Sequence, residues 1–410
     1  MPRVVRVVVL VLARPFRTTE DEDDDEDEDD WQRLRCTMLF WKRTMMSPHA
    51  QTAARRARLI RLIRREKLDA LLVTNVHNVR YLSGFLGDDS ALLVTPGRTT
   101  LLTDSRYAEQ AEAETRGIGI VVRRKGMMSV AAAAARKAGV RTLGVEGRTM
   151  TMADAEELRK ALPQAEVRPT RGMVERLRII KDASEIAAIS RAAEIADEAF
   201  RLTLPQITPG QTERRLALIL ERTMQDLGAD EPAFPTIVAA GERSSLPHAR
   251  PTDRRIRRGE AVLFDWGARW RLYASDLTRV VFLDRIQDDF RRRYRLVLAA
   301  QRRALARVRV GCSAGKLDAA ARSYLKAHRC GKYFGHSLGH GVGLEVHEAP
   351  GISPGQDTRL KAGMVITIEP GVYVPGQGGV RIEDLVLVTR NGRRILTASP
   401  KWPPTVLRGS

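Results

Sequence analysis

Carboxylates and imidazoles occur in the C-terminal half of the chain where apolar strands should exclude them. Asp265 ends the run Val262-Leu263-Phe264, Asp276 precedes Leu277 to Phe282, and Gly267 lies in the short connection between them. Two strands joined by a hairpin pair antiparallel and bring these carboxylates near each other. Glu369 follows Val365-Ile366-Thr367-Ile368 and precedes Pro370-Gly371, while Glu383 stands within Val380-Arg381-Ile382-Glu383-Asp384-Leu385. Four carboxylates in apolar strands are costly to bury without a partner.

The chain has seven histidines, and three of them, His336, His340 and His347, fall between Gly335 and Glu348. A fourth, His248, lies in Ser245-Leu246-Pro247-His248-Ala249. Any one alone reads as an ordinary, partly buried histidine; beside four strand carboxylates they read as a site. Asp265, Asp276, His340, Glu369 and Glu383 then form an oxygen-rich donor set with one imidazole. Such hard donors suit two divalent ions, Mn²⁺ first, or Co²⁺ or Zn²⁺ by availability. Paired ions about 3.5 to 4 Å apart activate a bridging water, so the expected chemistry is metal-assisted hydrolysis.

The elements that must position these residues follow from periodicity. From Ala53 a helical stretch with Leu59, Ile60 and Ile63 on one side leads to short apolar runs at Leu68 to Val73, Ala91 to Val94, Thr99 to Leu102, Ile118 to Val122 and Leu143 to Val145. Helix-like segments such as Met152 to Leu162 separate them, which predicts an α/β domain over 53–171. A linker over 172–181 leads to a catalytic domain over 182–405. Helices are expected over Ala183 to Leu204 and Thr212 to Leu227, the second after the start signal Thr208-Pro209-Gly210-Gln211. Then come strands at Thr236 to Ala239, Ala261 to Trp266, Ala274 to Phe282, Met364 to Glu369 and Val380 to Val388, interrupted by one long helix, Asp288 to Val308. That helix keeps the apolar stripe Phe290, Tyr294, Val297, Leu298, Leu305 and Val308, so its arginines form a solvated face.

The segment from Thr236 to Leu387 resembles the pita-bread metallopeptidase family, which includes aminopeptidase P, prolidase, methionine aminopeptidase and creatinase. The matching motifs are Pro247-His248-Ala249, Asp265-x-Gly267, Ser275-Asp276-Leu277-Thr278-Arg279, Gly339-His340-Gly341-Val342-Gly343, His347-Glu348, Ile368-Glu369-Pro370-Gly371 and Arg381-Ile382-Glu383-Asp384. The segment before them is similar, by pattern, to the creatinase-type N-terminal α/β domain, giving an α+β fold overall. Carried over to these positions, the resemblance implies that Asp265 chelates one metal, Asp276 and Glu383 bridge both, and His340 and Glu369 hold the other. It implies Glu369 as general base, with His248, His336 and His347 around the substrate and His347 donating to the scissile carbonyl. Tyr373 and Arg381 match positions near the substrate, against the plain alternatives of a packed aromatic and an ion pair.

The complete ligand set argues against creatinase, and the extra N-terminal domain against methionine aminopeptidase. Aminopeptidase P acts on longer peptides with proline second, and prolidase on Xaa-Pro dipeptides. Some prolidases resemble His-Glu-x-Pro-Arg after the second histidine; here the run is His347-Glu348-Ala349-Pro350-Gly351, with no cation for a dipeptide's carboxylate. The reading therefore leans to Xaa-Pro aminopeptidase, with the dipeptidase as alternative and a catalytically inactive binding protein as the reading from another class. A homodimer or dimer of dimers is what the resemblance implies.

The 410 residues carry a net charge of +19, although the eleven positions from Glu20 to Asp30 are all acidic, leaving +30 on the rest. Such a surplus suggests nucleic acid, but it comes from 58 arginines against 11 lysines, a skew that codon usage explains equally well. With the ligand set complete, no nucleic-acid partner is expected. The spacing Gly339-x-Gly341-x-Gly343 is not that of a dinucleotide loop. Residues 1–46 are expected to be disordered, either an acidic interaction tail or the product of a start placed too early. The apolar run Val7 to Ala13 is followed by Arg14, Pro15 and Arg17 in place of a small-residue cleavage site, and no stretch is long enough to span a bilayer. Three cysteines far from any C-x-x-C spacing fit a reducing, cytoplasmic compartment.

Overall fold

The computed structural model describes residues 47–401 and 404–407, so the acidic tail expected over 1–46 lies outside the described residues. The five short apolar runs of the N-terminal segment pair with a sixth strand that was not expected, Glu166–Thr170, into one sheet in the order Gly119–Val122, Thr99–Thr103, Ser90–Val94, Ala70–Val73, Thr142–Glu146, Glu166–Thr170. The four inner runs are continuous rather than alternating because both of their faces are covered, whereas Val121 and Val122 of one edge strand are exposed. On one face Ala70, Leu72, Ala91, Leu93 and Leu102 meet Met128, Ala131, Ala135 and Leu158 of the helices Met127–Lys137 and Met152–Ala161. On the other, Leu71, Val73, Leu92 and Leu101 meet Leu59 and Ile63 of the helix Pro48–Arg65, and the same cluster continues into Ile189, Val342, Leu344, Val365 and Leu385 of the catalytic part.

The segment expected as a linker is therefore packed. Met173, Val174, Leu177, Arg178 and Lys181 are buried around a short helix, Glu175–Arg178, and the described residues form one compact unit.

In the catalytic part, Ala261–Trp266 and Leu277–Leu283 pair antiparallel with Thr278 opposite Asp265. Alternation divides this pair between two cores. Val262, Phe264, Trp266 and Val281 pack on Ile195, Phe200, Leu216 and Leu220 of the helices Ala183–Thr203 and Glu213–Asp226. Leu263, Val280 and Phe282 face Tyr294, Val297 and Leu298 of the helix Asp288–Leu305, Leu317 and Ala321 of the helix Ala314–Ala327, and Ile366, Ile368 and Val386 of a five-stranded sheet. That sheet runs in the order Glu348–Ile352, Gly339–Gly341, Val365–Ile368, Asp384–Thr389, Gly392–Ile395.

Three expectations change. The strand expected over Val380 to Val388 is two strands in different sheets: Gly378–Arg381 pairs with Gly371–Val374, and Asp384–Thr389 with Val365–Ile368. The break falls at Glu383, whose amide donates to Thr278 O at 3.2 Å, so the chain leaves one sheet there to reach the other. The run Ala274 to Phe282 is interrupted at Ser275-Asp276, after a small hairpin, Ala268–Trp270 with Tyr273–Ala274. A second helix, Ala314–Ala327, follows the Arg-rich one; its buried face has only two large apolar residues, Leu317 and Leu325, beside Ala314, Asp318 and Ala321, and so gives little apolar contrast. No helix among the described residues is long and apolar enough to cross a membrane.

The helix Ala183–Thr203 starts with a capping box, in which Asp182 accepts from the amides of Ser184 and Glu185 and the Glu185 carboxylate accepts from the Asp182 amide. Arg55 of the N-terminal helix docks on this cap, 2.8 Å from Asp182 and 3.5 Å from Glu185. Burial pushes the Glu185 carboxyl up to about 7 despite Arg55. Because the folded value lies above the ordinary one, this group's stabilising share is complete below the usual carboxylate range and is lost as pH rises through about 7. The advantage in thermal midpoint of the wild type over Glu185→Gln is therefore expected to shrink between about pH 5 and pH 8; a difference that stays flat or grows would contradict it.

Candidate active site

Nine of the ten residues singled out from the sequence line one pocket of about 400 Å³: Asp265, Asp276, Glu369, Glu383, His248, His336, His340, His347 and Arg381. The tenth, Tyr373, is buried behind it and reaches it through its hydroxyl. Asp276, His340 and Glu383 offer donor atoms all within 4.8 Å of one another. His340 Nε2 stands 3.5 Å from Asp276 Oδ2 and 3.3 Å from Glu369 Oε1, and its Nδ1 donates to Gly341 O at 3.1 Å. With Nδ1 so engaged, Nε2 is the atom that faces the acids; in the metal-free site it carries a proton towards Glu369, and it would give that proton up to ligate an ion. Asp265 is held by Arg381 Nη2 at 2.5 Å.

The donor set fits a pair of divalent cations on the evidence of its own unsatisfied atoms. Asp265 Oδ1 and Glu383 Oε1 are buried without a hydrogen-bond donor, and such orphaned oxygens are rare unless an ion or water completes them. Burial, then mutual repulsion, pushes Asp276 and Glu383 well above the carboxylate range. Burial raises Asp265 as well, against the pull of Arg381. Burial also works against Glu369, but the hydrogen bond and charge of His340 hold it below its ordinary value.

Second contacts fix Glu383, His340 and Glu369. Thr278 Oγ1 donates to Glu383 Oε2 at 2.6 Å and accepts from Arg381 Nε at 2.9 Å. Thr367 Oγ1 accepts from the His340 amide at 3.0 Å and donates to Glu369 Oε1 at 3.1 Å. Gln301, buried on the helix Asp288–Leu305, donates to Ile368 O at 3.2 Å and Ile382 O at 3.1 Å, the carbonyls just before Glu369 and Glu383. The glycine-rich strand is narrow for packing: a Cβ at Gly339 would lie 2.1 Å from Thr367 O, and one at Gly341 would lie 2.3 Å from Ala349 O.

The remaining histidines divide by their partners. Arg381 Nη1 donates to Tyr373 Oη at 2.7 Å, Tyr373 Oη meets His336 Nε2 at 3.0 Å, and His336 Nδ1 meets Ser337 O at 2.8 Å. Since a carbonyl only accepts, Nδ1 carries the proton and Nε2 accepts from the tyrosine. His336 is thereby neutral with both nitrogens engaged, and burial lowers its pKa. His248 and His347, in contrast, are exposed and make no side-chain hydrogen bond among the described residues. The His347 ring packs edge-on against His340, with centroids 4.3 Å apart.

Several positioning groups escaped the sequence reading. Gln301 stands four residues after Val297 on an otherwise apolar stripe, a signal missed because only the apolar residues and the arginines of that helix were read. Asp318 and Arg322 belong to the unexpected helix; Arg322 donates to Phe334 O at 2.9 Å and His336 O at 2.8 Å, and Asp318 accepts from the Leu338 amide at 3.2 Å. The fully buried Glu213 accepts from the Ala240 amide at 2.9 Å, the Thr252 amide at 3.0 Å and Arg243 Nε at 3.1 Å, pinning both ends of the loop that carries His248. Arg250 on this loop lines the pocket and has no ion pair among the described residues.

Both segments of the chain are similar to known proteins. Residues 55–180 match the Creatinase/Prolidase N-terminal domain and residues 187–390 match Metallopeptidase family M24. The chain is 39% identical to a Xaa-Pro dipeptidase of Pyrococcus horikoshii over 345 residues, 84% of this chain and 97% of that one. The solved Xaa-Pro dipeptidase from Bacillus anthracis superposes with a TM-score of 0.84 at 39% identity, covering 87% of this chain and 100% of that one. The solved X-Pro aminopeptidase from Thermotoga maritima gives 0.80 at 37%, covering 86% and 99%. With a pocket built from four carboxylates and an imidazole, and with both of its segments matched over nearly their whole lengths, the chain belongs to metallopeptidase family M24.

Proposed function

We propose that this chain hydrolyses the Xaa-Pro bond of dipeptides, using two divalent ions, Mn²⁺ by preference, held by Asp265, Asp276, His340, Glu369 and Glu383. The observation that carries the metal assignment is the pair of buried, donorless oxygens on Asp265 and Glu383 inside a cluster of four carboxylates. When bound, such ions acidify a water and polarise the scissile carbonyl. Glu369, held by Thr367, takes the proton of the attacking water. His347 and His248 present free imidazoles at the pocket mouth, and His347 donates to the carbonyl oxygen as negative charge develops there. Arg381 and Tyr373 fix the carboxylate of Asp265 and the neutral state of His336.

Two observations favour the dipeptide over a longer peptide. The relatives named for Xaa-Pro dipeptidase activity match the chain along its length. A dipeptide also places its carboxylate one residue beyond the cleaved bond, where it needs a cation. Gly351 offers none, yet the pocket supplies Arg250 from the loop of His248, uncommitted to any acid among the described residues. Arg381, the other cation of the lining, is occupied by Asp265. The aminopeptidase reading from the sequence remains the second one, favoured by Gly351 and by the relative named X-Pro aminopeptidase.

Adding Mn²⁺ to metal-free protein is expected to raise the thermal midpoint, with about two ions bound per chain, and Asp276→Asn should lose both effects. Glu369→Gln should leave the fold intact and abolish turnover; unchanged turnover would remove it as the base. Arg250→Ala should raise KM for Xaa-Pro about tenfold or more, the usual loss for a charge-assisted hydrogen bond, while leaving kcat and hydrolysis of Xaa-Pro amides unaltered. Wild-type preference for Xaa-Pro-Yaa over Xaa-Pro would overturn the dipeptidase reading.

A further inference from the structure

The imidazole assigned to the scissile carbonyl has no hydrogen bond of its own to hold it. His347 is exposed, and apart from the edge-on packing of its ring on His340 its orientation depends on the backbone of its loop. That loop is secured one residue later. The Glu348 carboxylate, with its side chain 6% exposed, meets Arg178 Nη2 through Oε1 and Lys181 Nζ through Oε2 at 3.2 Å, and Oε1 also accepts from the Glu345 amide at 3.1 Å. Arg178 and Lys181 are more deeply buried, their side chains 2% and 1% exposed. Arg178 Nη2 makes a further bond to Glu345 Oε2 at 2.8 Å, so both acids flanking His347 in this loop close on one guanidinium. The carboxylate of Glu348 fills the space beside Gly343, where a Cβ would come within 2.6 Å of it.

The guanidinium is aimed from the N-terminal domain. Its Nη1 donates to Asn78 Oδ1 at 2.8 Å, and Asn78 is fully buried on the helix Val76–Ser83. The Asn78 amide cannot turn over, because its Nδ2 donates to Glu146 Oε1 at 2.6 Å and Glu175 Oε1 at 2.9 Å. Glu146 is anchored in turn by the amides of Thr74 and Asn75, each at 2.7 Å. An unbroken set of buried contacts thus runs from the first strand of the N-terminal sheet to the residue next to His347. Removing one partner from a buried charged set leaves the others uncompensated, so such a set holds its members rigidly.

We infer that Asn78 and Arg178 are positioning residues for the reaction: through Glu348 they set the His347 imidazole over the scissile carbonyl, and this is a task of the N-terminal domain. The inference rests on the role proposed for His347. It separates Arg178 and Asn78 from the residues that hold metal, none of which they touch. A shift of an ångström in a catalytic group lowers turnover by up to about a hundredfold, so the consequence falls on kcat more than on KM.

The test uses the full chain loaded with Mn²⁺ and an Xaa-Pro dipeptide. Arg178→Lys, and the milder Asn78→Ser, are expected to lower kcat about tenfold or more with KM and bound metal little changed. In a His347→Ala background the same substitutions should cost less than about twofold, because residues acting through one group are not additive with its loss. Equal losses in both backgrounds would overturn the inference, as would unaltered kcat in both variants. Thermal midpoints identify a variant that fails to fold, and Asn78→Ser keeps the Arg178 to Glu348 pair for that case. If His347→Ala alone turns over like the wild type, the role of His347 falls and the inference with it. If His347→Ala is impaired while the losses are additive, only the inference falls.

Discussion

Four carboxylates converging on a single imidazole cannot all remain ionised in a buried pocket without cations, and the catalytic part is organised around that constraint. Three of the four are pushed up, chiefly by burial, and two bear oxygens with no donor. Arg381 supplies one positive charge and is fully committed to it. The remaining compensation belongs to the divalent pair of the family. Everything immediately behind the pocket holds the acids in place before the ions arrive: Thr278 and Thr367 by their hydroxyls, and Gln301 by clamping the two strand ends that lead into Glu369 and Glu383. Prearranging like charges in this way costs stability in the metal-free protein and is recovered on loading.

The ligands were legible in the sequence for the same reason that they are costly in the fold. An acid inside a run of valine and isoleucine violates the pattern around it, and Asp265, Glu369 and Glu383 each did so. The N-terminal strands were legible because a sheet covered on both faces needs unbroken apolar runs, although the strand Glu166–Thr170, with Arg168 and Pro169 in it, showed no such run. Legibility failed where meaning depends on contacts distant in the chain. The change of sheet at Glu383 is set by its bond to Thr278 O, and the value of Arg178 by residues 100 and 170 positions away. The choice between dipeptide and longer peptide was read from the lack of a cation at Gly351, while Arg250, on a loop a hundred residues earlier, lines the pocket that holds the candidate ligands.

The arginine surplus takes on a different character in the fold. Arg178, Arg279 and Arg381 are almost fully buried, each against a carboxylate. Arg279 ties Asp384 and Ser399 O together behind the metal ligands. Arginine suits these places because its planar fork makes several directed bonds and keeps its charge when desolvated. Others, such as Arg201 and Arg168, pair with neighbouring acids on the surface and contribute little. Net charge therefore says little about partners here, since an appreciable part of it is internal scaffolding.

The apolar cluster shared by Leu71, Leu92 and Leu101 with Val342, Leu344, Val365 and Leu385 makes the boundary between the two family segments a core rather than a seam. Neither segment can be separated from the other without exposing the strands on either side, and those on the catalytic side include the run that bears His340. The evolutionary consequence is that the N-terminal segment cannot be exchanged for an unrelated module, as a tethered domain can. A substitution on the face of its sheet that carries Leu71, Leu92 and Leu101 is also a substitution against the catalytic strands, and across that core the two halves are bound to change together.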